Sequence, residues 1–306
     1  MAIYESASGD GTKTLLKMLS MLLDYTHTPY NITTSPATRP VGMHRIEHLA
    51  SIRNAALYPL QLHDTQYDKI LFLNDIVFCA SDALELLLQS FIHQLDLACS
   101  LDYDMFNNKL GFYDIWVARN IAGMAFGKWP ADAFANHAES NAKLQANRPF
   151  QVQCCWNGMA ALNPEPFQRY GLRFKRDYTL EIADGDRIRR LLRHHSLPDE
   201  TVLYDKCSAS EISLLCNDLQ LLGYRRAAVV PSVRVAYTYE HTKELRRRFP
   251  PLEAHYPDPD YQIKFKEPPS LVQCVPLNSN TSHVPDGSEG LLVLREDADT
   301  AEEQQA

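Results

Sequence analysis

The residues able to do chemistry in this chain gather in short polar stretches that follow apolar runs. Asn74-Asp75 breaks the run Ile70-Leu-Phe-Leu73, and Asp102-Tyr-Asp104 closes a second run that begins at Asp96. Two carboxylates one residue apart in an irregular loop can share a divalent cation, because their oxygens reach a common point. A solvated loop uses the same letters, and so does a turn that simply needs Asn and Asp. Asp114 lies within Phe112-Tyr-Asp-Ile-Trp-Val-Ala-Arg119. Aromatic faces beside an acid suit sugar rings, with their apolar CH faces and hydroxyl edges, and they equally suit a plain core. Asn157-Gly158 interrupts a strand-like stretch from Gln151 to Leu162. A glycine there marks a bulge or a close approach by a ligand. Glu5 precedes a small polar loop, Ser6-Ala-Ser-Gly-Asp-Gly-Thr12. Amides at a helix start attract anions, and an acid before such a loop can accept hydrogen bonds from a ribose or a base. Arg45 and Arg53 lie about 80° apart around one helix, so one can reach a phosphate while the other stays solvated.

The elements that must position these groups follow from pattern. Met1 to Tyr4 reads as a strand, and Asp10 or Thr12 opens a helix carrying Leu15, Leu16, Leu19, Leu22 and Leu23. Residues 27–40, with three prolines, read as a loop. A helix from about Met43 to Leu57 buries Ile46, Leu49, Ala50 and Leu57, and Pro59 ends it. Ile70 to Leu73 is too short for a helix and reads as a strand buried on both faces. Asp82 opens the next helix, with Glu85 completing a capping box and Leu84, Leu87, Leu88, Phe91 and Leu95 at helical spacing. Residues 127–150 read as polar helix and loop, and 187–195 as a basic segment. Cys207 to Leu222, with Glu211 and Asp218, reads as a helix or a strand–helix junction. Ala227 to Ala236 is a late strand whose Pro231 places it at a sheet edge. Tyr237 to Arg248 starts another helix. The expected class is α/β, a mixed sheet flanked by helices. Residues 1–250 form the domain and 251–306 an extended, largely disordered tail.

Composition narrows the function. A net charge of -8 on 306 residues argues against a general nucleic-acid binder. No run of eighteen apolar residues is present, so the sequence as written contains no spanning helix. The seven cysteines include an adjacent pair, Cys154-Cys155, and no C-x-x-C, a poor zinc pattern. An odd number leaves at least one thiol free or paired with another chain. Asn31-Ile-Thr33 and Asn280-Thr-Ser282 fit the glycosylation pattern, which matters only in a secretory compartment.

The order of the stretches is more telling than any one of them. Ile3-Tyr-Glu-Ser-Ala-Ser-Gly-Asp-Gly-Thr12, Leu49-Ala-Ser-Ile-Arg-Asn54 and Tyr67 to Phe78 follow one another. Phe112 to Trp116 with Arg119, Cys155-Trp-Asn-Gly158, Ser210-Glu211 with Asp218, and Val233-Arg-Val235 come after them. This order resembles a nucleotide-sugar glycosyltransferase of the GT-A type. More closely it is similar to glycosyltransferase family 69, the fungal α-1,3-mannosyltransferases named for capsule-associated cryptococcal proteins, over roughly residues 2–240.

The resemblance implies a retaining, Golgi-type enzyme that moves mannose from GDP-mannose to an acceptor mannoside. It implies that Glu5, Ser8 and Asp10 shape the nucleoside end and that Arg53 approaches the diphosphate. Asn74 and Asp75 stand where such enzymes carry a D-x-D motif that holds Mn²⁺ or Mg²⁺, with Asp75 as the principal ligand and Asp218 as its partner. Trp156, Asn157 and Gly158 border the reacting sugar, and Asp102, Asp104 and Asp114 the acceptor side. Glu211 orients the acceptor hydroxyl or stabilises positive charge developing on the mannose. The family also has a membrane anchor and a first strand before the Tyr-Glu-Ser segment, so this chain reads as starting at the second strand. Competing expectations are a truncated, inactive paralogue acting as an accessory subunit, and a transferase using another sugar nucleotide such as UDP-xylose.

Overall fold

The computed structural model describes residues 1–62, 66–176, 181–182, 193, 203–206, 209–250, 261–275 and 290–294. The elements run β1 (Ala2–Ser6), α1 (Thr12–Tyr25), β2 (Asn31–Ser35), α2 (Arg45–Leu57), α3 (Pro59–Leu62), β3 (Ile70–Leu73), α4 (Ala80–Ile92), β4 (Leu97–Phe106) and β5 (Lys109–Phe112). They continue with α5 (Ala138–Gln145), β6 (Phe150–Gln151), β7 (Met159–Leu162), α6 (Glu165–Arg169), β8 (Glu181–Ile182), β9 (Leu203–Lys206), α7 (Glu211–Leu221), β10 (Ala227–Ala236), α8 (Tyr239–Arg248), β11 (Leu271–Cys274) and β12 (Gly290–Val293). The α/β class is as expected.

The main sheet is mixed, in the order β3-β7-β4-β10-β6, with β5 folded back on β4. β10 runs parallel to β4, while β7 is antiparallel to both β4 and β3. Strands β3, β4 and β10 therefore point the same way, and their carboxyl ends meet the start of β7 at one edge. Open α/β sheets place ligands at such an edge. Leu97 to Tyr103 of β4 are all buried. One face packs against α4 through Leu86, Ala98, Ala161 and Val235, and the other against α2 and α7 through Ala50, Cys99, Leu101 and Leu215.

Several local readings change with register. β3 is an edge strand paired with β7 alone and half-buried, so an apolar run does not identify the centre of a sheet. β10 lies between β4 and β6, not at the edge. Its Pro231 is tolerated because the ladder with β4 breaks between Val229 and Arg234, where no backbone donor is required of it. Asp102-Tyr-Asp104 is inside β4 rather than in a loop. α4 starts earlier than expected: Cys79 is its N-cap and Asp82 accepts from the Cys79 N–H at 2.7 Å, the far half of a capping box. Its buried face carries Leu86, while Leu84, Leu88 and Phe91 point outward.

The loop expected at 27–40 contains β2, which pairs in parallel with β1 across α1 as a separate two-stranded sheet. In the expected tail, β11 and β12 pair with each other, and Cys274 is disulfide-bonded. The basic segment 187–195 lies, but for Arg193, outside the described residues. The adjacent cysteines form two different bridges, Cys99–Cys155 and Cys154–Cys216, and Cys79 is free.

Candidate active site

The bridges act directly on the edge just described. Cys155 is tied to β4 three residues before Asp102, and Cys154 to α7 five residues after Glu211. Trp156-Asn157-Gly158 is thereby held between the two elements that carry the acids. Asn157 and Gly158 both take positive φ, 55° and 83°. A Cβ on Gly158 would lie 2.8 Å from Ile76 and 3.2 Å from Val235, and the Gly158 carbonyl accepts from the Asn74 N–H at 3.0 Å. The glycine thus admits the Asn74–Ile76 turn, a neighbour from the protein itself. Asn157 is wholly buried; its amide donates to the Ser100 carbonyl at 2.8 Å, and Ser100 Oγ donates back to the Asn157 carbonyl at 2.6 Å.

Around this clamp two charge clusters form. In the first, Arg53 of α2 pairs through Nε with Glu211 Oε1 at 3.2 Å. Its guanidinium carbon lies 5.5, 5.4 and 5.6 Å from the rings of Phe72, Trp156 and Phe174. Asn54 pins Phe174 in place by bonding its N–H and its carbonyl, at 2.9 and 2.8 Å. Burial lowers the Arg53 pKa from its ordinary value, and the charges of Glu211, Asp114 and Asp75 act against that. Arg53 Nη1 is buried with no hydrogen-bond partner. Trp156 Nε1 donates to Asn74 Oδ1 at 3.4 Å, which links the cage to the turn carrying the exposed Asp75.

The second cluster is a pair of neighbouring carboxyls, Asp102 fully buried and Asp114 partly buried. Asp102 accepts the Tyr237 hydroxyl at 2.6 Å and the Asp114 N–H at 3.3 Å. Asp114 accepts the Asn157 N–H at 3.4 Å. Burial, and then the neighbouring Asp114 charge, pushes Asp102 well above the usual carboxylate range. Burial raises Asp114 to about 6, against the N–H groups of Asn157 and Val117 and the charges of Arg119 and Arg53. Beside them His241 Nδ1 meets Asp104 Oδ1 at 2.5 Å.

The structure thus brings together Arg53, Asn74, Asp102, Asp104, Asp114, Trp156, Asn157, Gly158 and Glu211, with Asp75 at the rim. Asp218 is elsewhere: it lies seven residues beyond Glu211, roughly 10 Å along the helix axis, where Lys175 Nζ holds it at 2.8 Å. Among the described residues no three His, Cys, Asp or Glu side chains converge as a metal cage. Asp75 is exposed at the rim, whereas Asp218 is paired with Lys175 further along α7. In the amino-terminal unit, Glu5 is buried, with Oε1 accepting the Ser8 N–H at 2.5 Å and Oε2 without a partner. Asp10 accepts the Thr12 N–H at 2.9 Å, which lowers its pKa.

Sequence reasoning missed Tyr237, His241 and the cage residues Phe72 and Phe174. Tyr237 had a usable signal: it is the first polar side chain beyond the carboxyl end of a strand. Only the parallel register of β10 on β4 shows which acid it meets. Phe174 had none, because it reaches Arg53 from a segment without secondary structure.

The family model described as cryptococcal mannosyltransferase 1 matches residues 1–218. The chain is 29% identical over 265 residues to the alpha-1,3-mannosyltransferase CMT1 of Cryptococcus neoformans var. neoformans serotype D, covering 80% of this chain and 52% of that protein. The chain thus spans about half the length of this curated relative. No solved structure matches.

Proposed function

Because the chain belongs to the cryptococcal mannosyltransferase 1 family, we propose that it is a GT-A-type glycosyltransferase that moves mannose from GDP-mannose to an acceptor mannoside, forming an α-1,3 linkage with retention. The observation that carries the reading is the meeting, at one sheet edge, of a caged arginine with an unpartnered Nη1 and the paired acids Asp102 and Asp114. The orphan donor suits a diphosphate oxygen, and the orphan Glu5 Oε2 suits a nucleoside donor group, since buried polar atoms are costly until paired.

In this reading the bond from mannose C1 to the diphosphate oxygen breaks and a bond from C1 to the acceptor oxygen forms. The acceptor proton leaves with the diphosphate. Arg53 offsets charge on the departing diphosphate, and Glu211, itself buried, fixes the guanidinium in its cage. Asp114, ionised above its pKa of about 6, lies beside the positive charge that grows on the sugar. The N–H of Asn157 orients Asp114, so Asn157 acts through its backbone. Asp75 would hold Mn²⁺ or Mg²⁺, which supplies further neutralisation of the leaving group when bound. The bridges Cys99–Cys155 and Cys154–Cys216 support an oxidising compartment such as the Golgi lumen. No helix among the described residues is long and apolar enough to cross a membrane.

The test is thermal stabilisation by GDP with and without Mn²⁺, followed by GDP release from a donor panel that includes UDP-xylose. Stabilisation by GDP, enhanced by Mn²⁺ and diminished in Asp75→Ala, is expected, with GDP-mannose the preferred donor. The absence of any nucleotide effect would sink the assignment, and a preference for UDP-xylose would redirect it.

A further inference from the structure

The hairpin of β4 and β5 extends the site outward. Alternation along a strand puts Asp102, Asp104 and Phe106 on one face of β4. Phe106 pairs with Lys109 and Asp104 with Gly111, so Lys109, Gly111 and then Tyr113 continue the same face on β5. Tyr103, on the opposite face, is wholly buried against Phe112 and Phe134. Gly111 has a specific reason to be glycine: a Cβ there would lie 2.8 Å from Trp129 Nε1 and 3.0 Å from Lys128. Trp129 therefore lies directly over the hairpin. The rings follow one another from Tyr237 to Tyr113 at 4.6 Å, to Phe106 at 6.3 Å and to Trp129 at 5.9 Å. Tyr113 is 44% exposed and Trp129 41% exposed, so both rings reach solvent. The inner end of this row is the hydroxyl of Tyr237 on Asp102.

We propose that this row, Tyr237–Tyr113–Phe106–Trp129, is an extended acceptor subsite that binds an oligosaccharide of at least three sugar units, with its growing end at the Asp102–Asp114 pair. The inference rests on the transferase reading and adds the size of the acceptor. The rings, of which Phe106 and Tyr113 are stacked, offer apolar surface to sugar CH groups, and Asp104 and His241 offer hydrogen-bonding atoms along the inner part of the path. Lys128 Nζ lies 3.8 Å from the Phe106 ring centroid and Lys109 Nζ 5.1 Å from that of Trp129. Both are long, flexible side chains that can swing off the rings and donate to hydroxyls. A protein partner would want a wider apolar patch than one ring in width, and the row is continuous with the acids, which a remote docking face would not be.

The experiment titrates linear oligomannosides of one to four units, with GDP present, into the intact chain and into Trp129→Ala and Phe106→Ala, read by calorimetry. Affinity is expected to rise with length up to three units. Each substitution should cut affinity for the trimer about tenfold while changing that for the single sugar by no more than about twofold. Tyr25→Ala, on α1 and outside the row, serves as the control and should match the parent. Saturation transfer from protein aromatic protons to the outer sugar units, measured on the unaltered chain, gives an answer even where a variant does not fold. Affinity independent of length, or saturation confined to the innermost unit, would overturn the proposal. Failure of GDP to bind while the length dependence persists would remove the donor assignment and leave the subsite standing. Nucleotide binding without any saccharide binding would do the reverse.

Discussion

The edge where β4, β7 and β10 meet and the amino-terminal unit β1–α1–β2 both carry site acids, yet they are built differently. At the edge, Leu97 to Tyr103 are all buried, and two disulfides fix the loop between β4 and α7. In residues 1–35 only Glu5 and Leu23 are buried. Leu15, Met18, Met21 and Leu22 of α1 are 57% to 66% exposed. The difference follows from what each acid needs. Glu211 and Asp102 are buried carboxyls and Asp114 a partly buried one, tolerable only where fixed partners replace water. Glu5 has one fixed partner, the Ser8 N–H, and one empty acceptor. The edge is therefore rigidly built, and the amino-terminal unit is loosely packed. Low local packing density goes with local opening at low free energy.

The largest test of this contrast is Glu211→Ala. It leaves the Arg53 guanidinium buried among three rings without its counter-charge, a change that costs about 3–5 kcal/mol. Glu5→Ala loses one hydrogen bond in a loosely packed unit and should cost about 1 kcal/mol. Urea unfolding of the two variants beside the parent measures both. Equal costs would mean that the Arg53–Glu211 pair is not desolvated. Replacing the pair together, Arg53→Met with Glu211→Leu, should restore most of the stability lost by Glu211→Ala, because no lone charge then remains.

A smaller effect is expected from pH. Burial holds Asp114 at about 6, above its value in an unfolded chain. Below pH 4 both states carry the proton and Asp114 imposes no penalty. As pH rises from 4 to 6 the unfolded chain ionises first, so the folded state loses stability, and the full penalty applies above pH 6. Asp102, raised for the same reason, contributes with the same sign. Asp114→Asn, which can still accept from the Asn157 N–H, should therefore flatten the fall between pH 4 and 6. At pH 7 it should be more stable than the parent by roughly 1–3 kcal/mol. Urea midpoints at five pH values for the two proteins supply the comparison, and parallel curves would contradict it.

Local pattern revealed the polar breaks at Asn74-Asp75 and Asn157-Gly158, the acids of β4, and the helix that carries Arg53. These depend on neighbours in sequence, which is what pattern reads. What it could not reveal depends on pairing at long range. The bridge of Cys155 reaches back 56 residues and that of Cys154 forward 62, and connectivity is not encoded in spacing. The partnership of Arg53 with Glu211 spans two helices on one face of the sheet. The positions of β3 at an edge and β10 inside follow from register, and an apolar run looks the same in either place. The amphipathic stripe of α4 misled for a different reason. Leu84, Leu88 and Phe91 have core-like spacing, yet they lie on the outer face while Leu86 enters the core.

The same outward stripe on α1 supplies the smallest and most discriminating expectation. Leu22 is 57% exposed, whereas Leu86 on α4 is wholly buried. Leu86→Ala removes a packed side chain from beneath the sheet and should cost about 2–5 kcal/mol. Leu22→Ser removes one that touches mainly water and should change stability by no more than about 0.5 kcal/mol. It should also raise solubility, since α1 otherwise shows a contiguous apolar strip. Urea unfolding and light scattering on the two variants read these outcomes. If Leu22→Ser cost as much as Leu86→Ala, the α1 stripe would be covered in solution, and the contrast between a pre-built edge and an open amino-terminal unit would fail. A null result at Leu22 together with a large one at Leu86 would locate the stability of this fold in the layer that holds the acids, and leave the amino-terminal unit as the part that opens most readily.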